Sequence, residues 1–113
     1  MQGENKEAVE AFDDALLIHP KSPHLLASRG YALVKQGEVK EGQKSLKKAL
    51  EVKPNLTFAR VSLGKSYLLE GDYQKAAIEF KNALLISPEN IEARDGLEEA
   101  MKGLNLKKNE KKQ

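Results

Sequence analysis

At 113 residues the chain has the length of one small domain, and its 40% apolar and 32% charged residues are typical of a folded protein rather than a disordered one. The absence of cysteine excludes disulfides and thiolate metal sites, and the longest apolar run, of four residues, excludes a membrane-spanning helix. No basic segment followed by an apolar one opens the sequence, so no signal peptide is recognised and a cytoplasmic protein is the default expectation.

The net charge of +2 is unevenly distributed along the chain. Residues 102–113 contain five Lys and one Glu, a net charge of +4, so residues 1–101 carry −2. A Lys-rich end can contact nucleic acid or acidic lipid. This one has no aromatic residue to stack on bases, and it is interpreted as a flexible, solvated tail over 107–113. Nucleic acid is therefore not expected as a partner.

Apolar residues recur every three or four positions, which predicts helices and no strands. In chain order, the helices are expected at about 4–19, 23–36, 39–52, 56–70, 73–86 and 90–104. Ser22 followed by Pro23 is typical of a helix start. Asp72 and Asn90 are expected to cap the N-termini of the helices that follow them.

The residues between the helices recur with a period of 34. The equivalent positions include Gly3, Gly37 and Gly71; Pro20, Pro54 and Pro88; Ala15, Ala49 and Ala83; and Phe12, Leu46 and Phe80. Gly37 and Gly71 are expected to end helices in the left-handed conformation. Gly30 and Gly64 lie inside helices, where Gly costs about 1 kcal/mol relative to Ala, so a neighbouring helix is expected to approach closely there. The pattern predicts stacked, antiparallel helix pairs.

This 34-residue unit resembles the tetratricopeptide repeat (TPR). The copy at 57–90 matches the family consensus at Leu63, Gly64, Tyr67, Gly71, Tyr73, Ala76, Phe80, Ala83 and Pro88. The copy at 23–56 matches the pattern at Gly30, Gly37, Leu46, Ala49 and Pro54. It departs from the consensus at Arg29, Leu33 and Gly42. The resemblance implies an all-α domain over 1–106, a right-handed α-solenoid of antiparallel helix pairs with about six helices.

The repeat register leaves incomplete units at both ends of the predicted domain. Residues 3–22 match only the second helix of a repeat, so either more protein precedes Met1 or another chain covers this edge. The helix at 90–104 is expected to cap the other end with a polar outer face. Its predicted apolar stripe consists of Leu97, Ala100, Met101 and Leu104.

No catalytic or metal-binding constellation is recognised in the sequence. His19 and His24 lack a Ser, Cys or carboxylate at a spacing that builds a nucleophilic or metal site. The adjacent carboxylates Asp13 and Asp14 diverge on a helix. The segment 37–42 lacks the ending of a phosphate-binding loop. No enzyme activity, cofactor or metal is therefore expected.

The resemblance implies a peptide-binding groove on the concave side, lined mainly by the first helix of each repeat. The matching groove residues are His24, Ala27, Ser28, Tyr31, Lys35, Phe58, Val61, Ser62, Lys65 and Leu69, with Val34, Leu68, Glu92, Asp95 and Glu99 beside them. Tyr31 and Phe58 are the expected anchors, because aromatic side chains carry much of the binding energy at interfaces. Leu68 is expected to be buried between helices instead.

Two functions remain after these exclusions. The first is a protein–protein interaction scaffold that binds a peptide or amphipathic helix of a partner in the groove. The alternative is self-assembly, with a homo-oligomer formed through residues 4–19. Its docking residues would be Ala8, Phe12, Ala15, Leu16 and Ile18.

One ligand class known for the family is disfavoured by the groove residues. Family members that clamp the acidic C-terminus of heat-shock chaperones use Lys and Asn at set groove positions. Among the residues that stand at those positions here, Lys65 alone could donate to a carboxylate, and Phe58 stands where a Lys is expected. An apolar and aromatic lining instead favours a partner that offers apolar side chains.

Overall fold

Six α-helices and no strand make up residues 2–112, the part of the chain that the computed structural model describes. The helices are α1 (Gln2–Ile18), α2 (Pro23–Gln36), α3 (Val39–Val52), α4 (Thr57–Leu69), α5 (Tyr73–Ile86) and α6 (Ile91–Lys112). Consecutive helices pack together, and α4 also contacts α2 on one side and α6 on the other. The body measures 53 × 29 × 20 Å. The predicted all-α helical-repeat architecture is confirmed.

The predicted helix ends agree closely with the structure, because the residues at them satisfy free backbone groups. Ser22, Asp72 and Asn90 each accept a hydrogen bond from the backbone N–H three residues later, at 3.3, 3.2 and 2.8 Å. Gly37 and Gly71 follow α2 and α4 with φ angles of 98° and 74°, in the left-handed region. The short loops that result hold successive helices side by side.

The last helix is longer than predicted. The expected end at Leu104 is wrong, because α6 continues to Lys112, and residues 107–112, expected to be a flexible tail, are helical. No Gly or Pro follows Gly103 to stop the helix, and the Leu and Lys residues there have favourable helix propensities. Lys107 also contacts α5 and its preceding loop: Nζ donates to the Gly71 carbonyl at 3.3 Å and lies 5.4 Å from the centre of the Tyr73 ring.

The buried side of α6 also differs from the predicted apolar stripe. Met101 is 41% exposed and does not belong to it. The other three predicted residues do face inward: Ala100 is buried, and Leu97 and Leu104 pack on the main core. The residues in the buried class are the small ones, Ala93, Gly96, Ala100 and Gly103. The reason is the bulk of the aromatic rings on α5, which leave no room for larger side chains where the two helices meet.

The centre of the core is an aromatic side chain held between glycines. Phe80 of α5 is fully buried, and its ring packs against Gly64 of α4 and Gly96 of α6. A Cβ atom on Gly64 would lie 2.8 Å from the Phe80 ring, and one on Gly30 would lie 2.6 Å from Leu46 of α3. The close helix approach predicted at Gly30 and Gly64 is confirmed. This packing sets α2, α4 and α6 at the spacing that forms the groove described next.

Candidate functional site

A groove runs along the side of the molecule where α2, α4 and α6 lie next to one another. It encloses about 700 Å³, within the range of about 300–1,000 Å³ that is usual for ligand sites. Its walls come from α2 and α4, Gly37 in the α2–α3 turn, the first residue of α3 and one residue of α6. The lining residues are Tyr31, Val34, Lys35, Gly37, Val39, Ser62, Lys65, Leu68, Leu69 and Glu99.

An aromatic pair marks the junction of α2 and α4. The ring centroids of Tyr31 and Phe58 are 5.5 Å apart, and the rings are tilted by 48°. The two side chains remain 37% and 45% exposed. One turn after Tyr31, the Nζ atom of Lys35 lies 5.4 Å from the centre of the tyrosine ring. The junction therefore presents an ordered aromatic surface that is still accessible to a partner.

An ion pair occupies the corresponding junction of α4 and α6. Lys65 Nζ donates to Glu92 Oε2 at 2.5 Å, and the two side chains are 46% and 66% exposed. Pairs as exposed as this one contribute about 0.2–1 kcal/mol. The one Lys that the sequence offers as a carboxylate ligand is thus already paired.

Two leucines at the end of α4 give the groove its apolar surface. Leu69 lines the groove and is 68% exposed. Leu68 is half-buried, packs on the main core and also lines the groove, so it serves both the interior and the surface. Val34 does the same on α2. An incoming apolar side chain would therefore meet hydrocarbon on both walls.

The predicted groove residues are divided between the groove lining and its surroundings. Tyr31, Lys35, Ser62, Lys65 and Leu69 line it. They come from two different helices and are brought together by the parallel packing of α2 and α4. Four of them form two pairs that are 34 residues apart, Tyr31 with Lys65 and Lys35 with Leu69, whereas Ser28, the equivalent of Ser62, does not line the groove.

The remaining predicted residues lie outside this lining. Phe58 adjoins it through its contact with Tyr31. Ala27 and Val61 are buried, with 1% and 5% of their surface exposed, and they offer a partner almost no contact area. Ser28 is half-buried and His24 is exposed on the first turn of α2.

Sequence reasoning missed two lining residues, one in the turn between α2 and α3 and one at the first position of α3. Gly37 and Val39 reach the groove because the left-handed Gly37 turns the chain back across the end of α2. The prediction considered only first-helix positions, which exclude this turn. The positive φ expected at Gly37 was the signal that could have included it.

A polar network connects α3 and α4 at the same end of the molecule. Gln43 Nε2 donates to Ser66 Oγ at 3.1 Å and to Glu70 Oε1 at 2.8 Å, and Lys40 Nζ lies 2.8 Å from Glu70 Oε2. The hydrogen bonds from Gln43 and then Lys40 lower the pKa of Glu70 below its usual value of 4.5. The same carboxylate raises the pKa of Lys40. These hydrogen bonds and the ion pair link α3 to the C-terminal end of α4.

Residues 2–112 contain no cluster of three or more His, Cys, Asp or Glu residues placed to hold a metal ion. None of the helices in this part of the chain has the length and hydrophobicity required to cross a membrane.

The sequence profile of the tetratricopeptide repeat matches residues 23–56 and 59–90, which is more than half of the chain. The chain belongs to the tetratricopeptide repeat family. Both matched segments coincide with helix pairs of the structure, α2–α3 and α4–α5. TPR domains serve as scaffolds for interactions with other proteins, and the groove described above lies on the side of α2, α4 and α6.

Solved TPR domains share this fold at low sequence identity. The first TPR domain of human RPAP3 is 21% identical, with a TM-score of 0.89 over 96% of this chain and 85% of that one. The Arabidopsis OM64 TPR domain is 19% identical, with a TM-score of 0.85 over 88% and 83%. The first TPR of Spaghetti (RPAP3), solved with the HSP90 peptide SRMEEVD, is 20% identical, with a TM-score of 0.87 over 92% and 82%. No curated protein gave a significant match.

Proposed function

We propose that this TPR domain is a protein-interaction scaffold, not an enzyme, and that it binds a segment of a partner protein in the groove between α2, α4 and α6. The observation that carries the proposal is the exposed apolar surface in that groove, above all Leu69 at 68% exposure. Fully burying an exposed Leu side chain contributes about 1.5–3 kcal/mol, so covering the exposed part of Leu69 contributes about 1–2 kcal/mol of the roughly 8 kcal/mol of a micromolar affinity.

The aromatic pair supports the same site. Tyr31 and Phe58 are held against each other before any partner arrives, so their ordering costs little on binding. Their exposed fractions leave area on both rings for contact. A short amphipathic helix or an extended segment with apolar side chains fits this surface.

An acidic C-terminal tail, such as the HSP90 peptide bound by Spaghetti (RPAP3), is not the ligand we propose. Lys65 is the groove cation expected to receive a carboxylate, and it is paired with Glu92 at 2.5 Å. Phe58 occupies the position where the family places a Lys, and it offers an apolar ring there.

The proposal is tested by affinity capture from a native extract with the wild type and two variants. Leu69→Asp is expected to abolish capture of the partner and to leave the melting temperature nearly unchanged, because the side chain is 68% exposed. Leu85→Asp is the matched control, since Leu85 is 82% exposed on α5 and does not line the groove. Equal loss of capture in both variants, or in neither, would refute the groove assignment.

A second candidate function is self-assembly through α1. Part of the face expected to dock on a second copy packs inside this chain instead: Ala8 and Phe12 pack beside Val9 against α2, and Leu16 packs on the main core. What favours the candidate is the exposed end of α1, where Leu17 and Ile18 are 84% and 75% exposed. Light scattering at several concentrations tests it: a constant monomer mass would rule it out, and a mass that rises in the wild type but not in Ile18→Asp would support it.

A further inference from the structure

The wall of the groove that α6 contributes is acidic. Glu92, Asp95 and Glu99 are spaced three and four residues apart, which places them along one side of the helix. All three are exposed, and Glu99 lines the groove together with Leu69. The apolar surface of α4 is therefore bordered by carboxylates on its α6 side.

These carboxylates differ in what they already bind. Glu92 is paired with Lys65. Within residues 2–112, neither Asp95 nor Glu99 forms an ion pair with a Lys or Arg. The α6 wall therefore carries two carboxylates that are not in ion-pair contact with a Lys or Arg of the described residues.

The α2 wall of the groove has the opposite sign. Lys35 lines it, and its Nζ atom lies over the Tyr31 ring rather than beside a carboxylate. The groove therefore has a cation on α2, the apolar surface of Leu69 on α4, and carboxylates on α6. A bound segment therefore meets a positive charge on the α2 side of the groove and negative charges on the α6 side.

We infer that the segment bound in the groove carries a Lys or Arg next to its apolar side chain, and that Glu99 determines this specificity. The inference rests on the proposed function, because it assigns a chemistry to the ligand of that same site. A Lys or Arg stem can lie along Leu69 while its charged head reaches the Glu99 carboxylate. An acidic residue at the same place meets the negative charges of Asp95 and Glu99.

The experiment begins with a phage-displayed library of random 12-residue peptides selected on the full chain. Peptides enriched on the wild type relative to Leu69→Asp define the groove binders. One of them is then synthesised in three forms that carry Lys, Gln or Glu beside the apolar residue, and their affinities are measured for wild type, Glu99→Gln and Glu99→Lys. The matched control is Glu98→Lys, which changes the net charge equally on a residue that pairs with Lys102 at 3.5 Å and does not line the groove.

The wild type is expected to bind the Lys form roughly fivefold more tightly than the Glu form, given the energies of exposed ion pairs. Glu99→Gln is expected to reduce affinity for the Lys form roughly threefold, and Glu99→Lys is expected to reverse the preference. Glu98→Lys is expected to leave it unchanged. The differences are expected to shrink at high salt, as screening weakens exposed charge pairs.

Two results would overturn the inference, and they are distinguishable. Peptides that are enriched on the groove but bind equally well in the Lys and Glu forms would refute the charge specificity and leave the proposed function standing. No enrichment on the wild type over Leu69→Asp would refute the proposed function, and the inference with it.

Discussion

The Tyr31 ring packs at a tilt against the Phe58 ring, with 5.5 Å between the centroids, and the positions 34 residues later, Lys65 and Glu92, make the equivalent contact as an ion pair at 2.5 Å. The repeat thus brings the same two positions together at both junctions of the α2–α4–α6 surface. The chemistry of the contact differs, because the first junction is aromatic and the second is ionic. The same helix packing therefore produces an aromatic contact between α2 and α4 and an ionic contact between α4 and α6.

The first prediction concerns the strength of these two contacts. A double-mutant cycle on Tyr31→Ala and Phe58→Ala is expected to give a coupling energy of about 0.5–1.5 kcal/mol that does not depend on salt. The cycle on Lys65→Ala and Glu92→Ala is expected to give about 0.2–1 kcal/mol, falling as salt is added. Both are measured by urea unfolding at low and high ionic strength. An aromatic coupling that vanishes in salt would contradict this assignment.

The second prediction concerns the glycine that receives the Phe80 ring. Gly64→Ala is expected to lower the free energy of unfolding by about 1–3 kcal/mol, because its Cβ would lie 2.8 Å from Phe80 and neither helix can withdraw without loosening the core. Gly3→Ala is the matched control. Gly3 is also helical, but a Cβ there would meet no other part of the chain within 4 Å, so helix propensity is expected to make the substitution neutral or stabilising by up to about 1 kcal/mol. A stabilised Gly64→Ala protein would contradict the packing argument.

The fold could be predicted because its determinants are local and repeated. Gly37, Gly71 and Asn90 act on backbone groups within a few residues, so their roles can be inferred from the sequence alone. The end of α6 could not be predicted in this way. The predicted end followed the apolar stripe to Leu104, whereas no Gly or Pro after Gly103 stops the helix. The contacts of Lys107 with Gly71 and Tyr73 also have no local signal, because these residues are more than 30 positions away in the sequence.

The groove was predicted only in part for a similar reason. Helical periodicity selects the side of α2 and α4, which correctly brings Tyr31 and Lys65 to the groove lining. It does not determine how far a side chain protrudes, and Ala27 and Val61 prove to be covered by neighbouring helices. Whether any of these residues binds a partner stays a prediction.

The third prediction concerns pH and the Glu70 network. The hydrogen bonds from Gln43 and Lys40 keep the folded-state pKa of Glu70 below the usual value of 4.5. A carboxyl whose pKa is lowered on folding adds stability above its unfolded pKa, and that stability is lost as the pH falls through the folded value. Thermal melts of wild type and Glu70→Gln are therefore expected to differ at pH 7, to begin to converge as the pH falls below about 4.5, and to coincide only below the folded-state pKa of Glu70. Glu89→Gln is the control, because Glu89 is exposed beyond α5 and outside this network. A difference in melting temperature that grows as the pH falls would contradict the lowered pKa assigned to Glu70.

The fourth prediction concerns the C-terminal extension of α6. Deleting residues 107–113 is expected to change the free energy of unfolding by less than about 1 kcal/mol, because residues 107–110 are exposed and the hydrogen bond from Lys107 to Gly71 lies at the surface. The far-ultraviolet circular dichroism is expected to lose only the contribution of the helical residues 107–112. Lys107→Ala in the full chain serves as the control, since it removes the contact to Gly71 and Tyr73 without shortening the helix. A loss above about 2 kcal/mol in the truncated protein but not in Lys107→Ala would mean that the extension itself stabilises the domain.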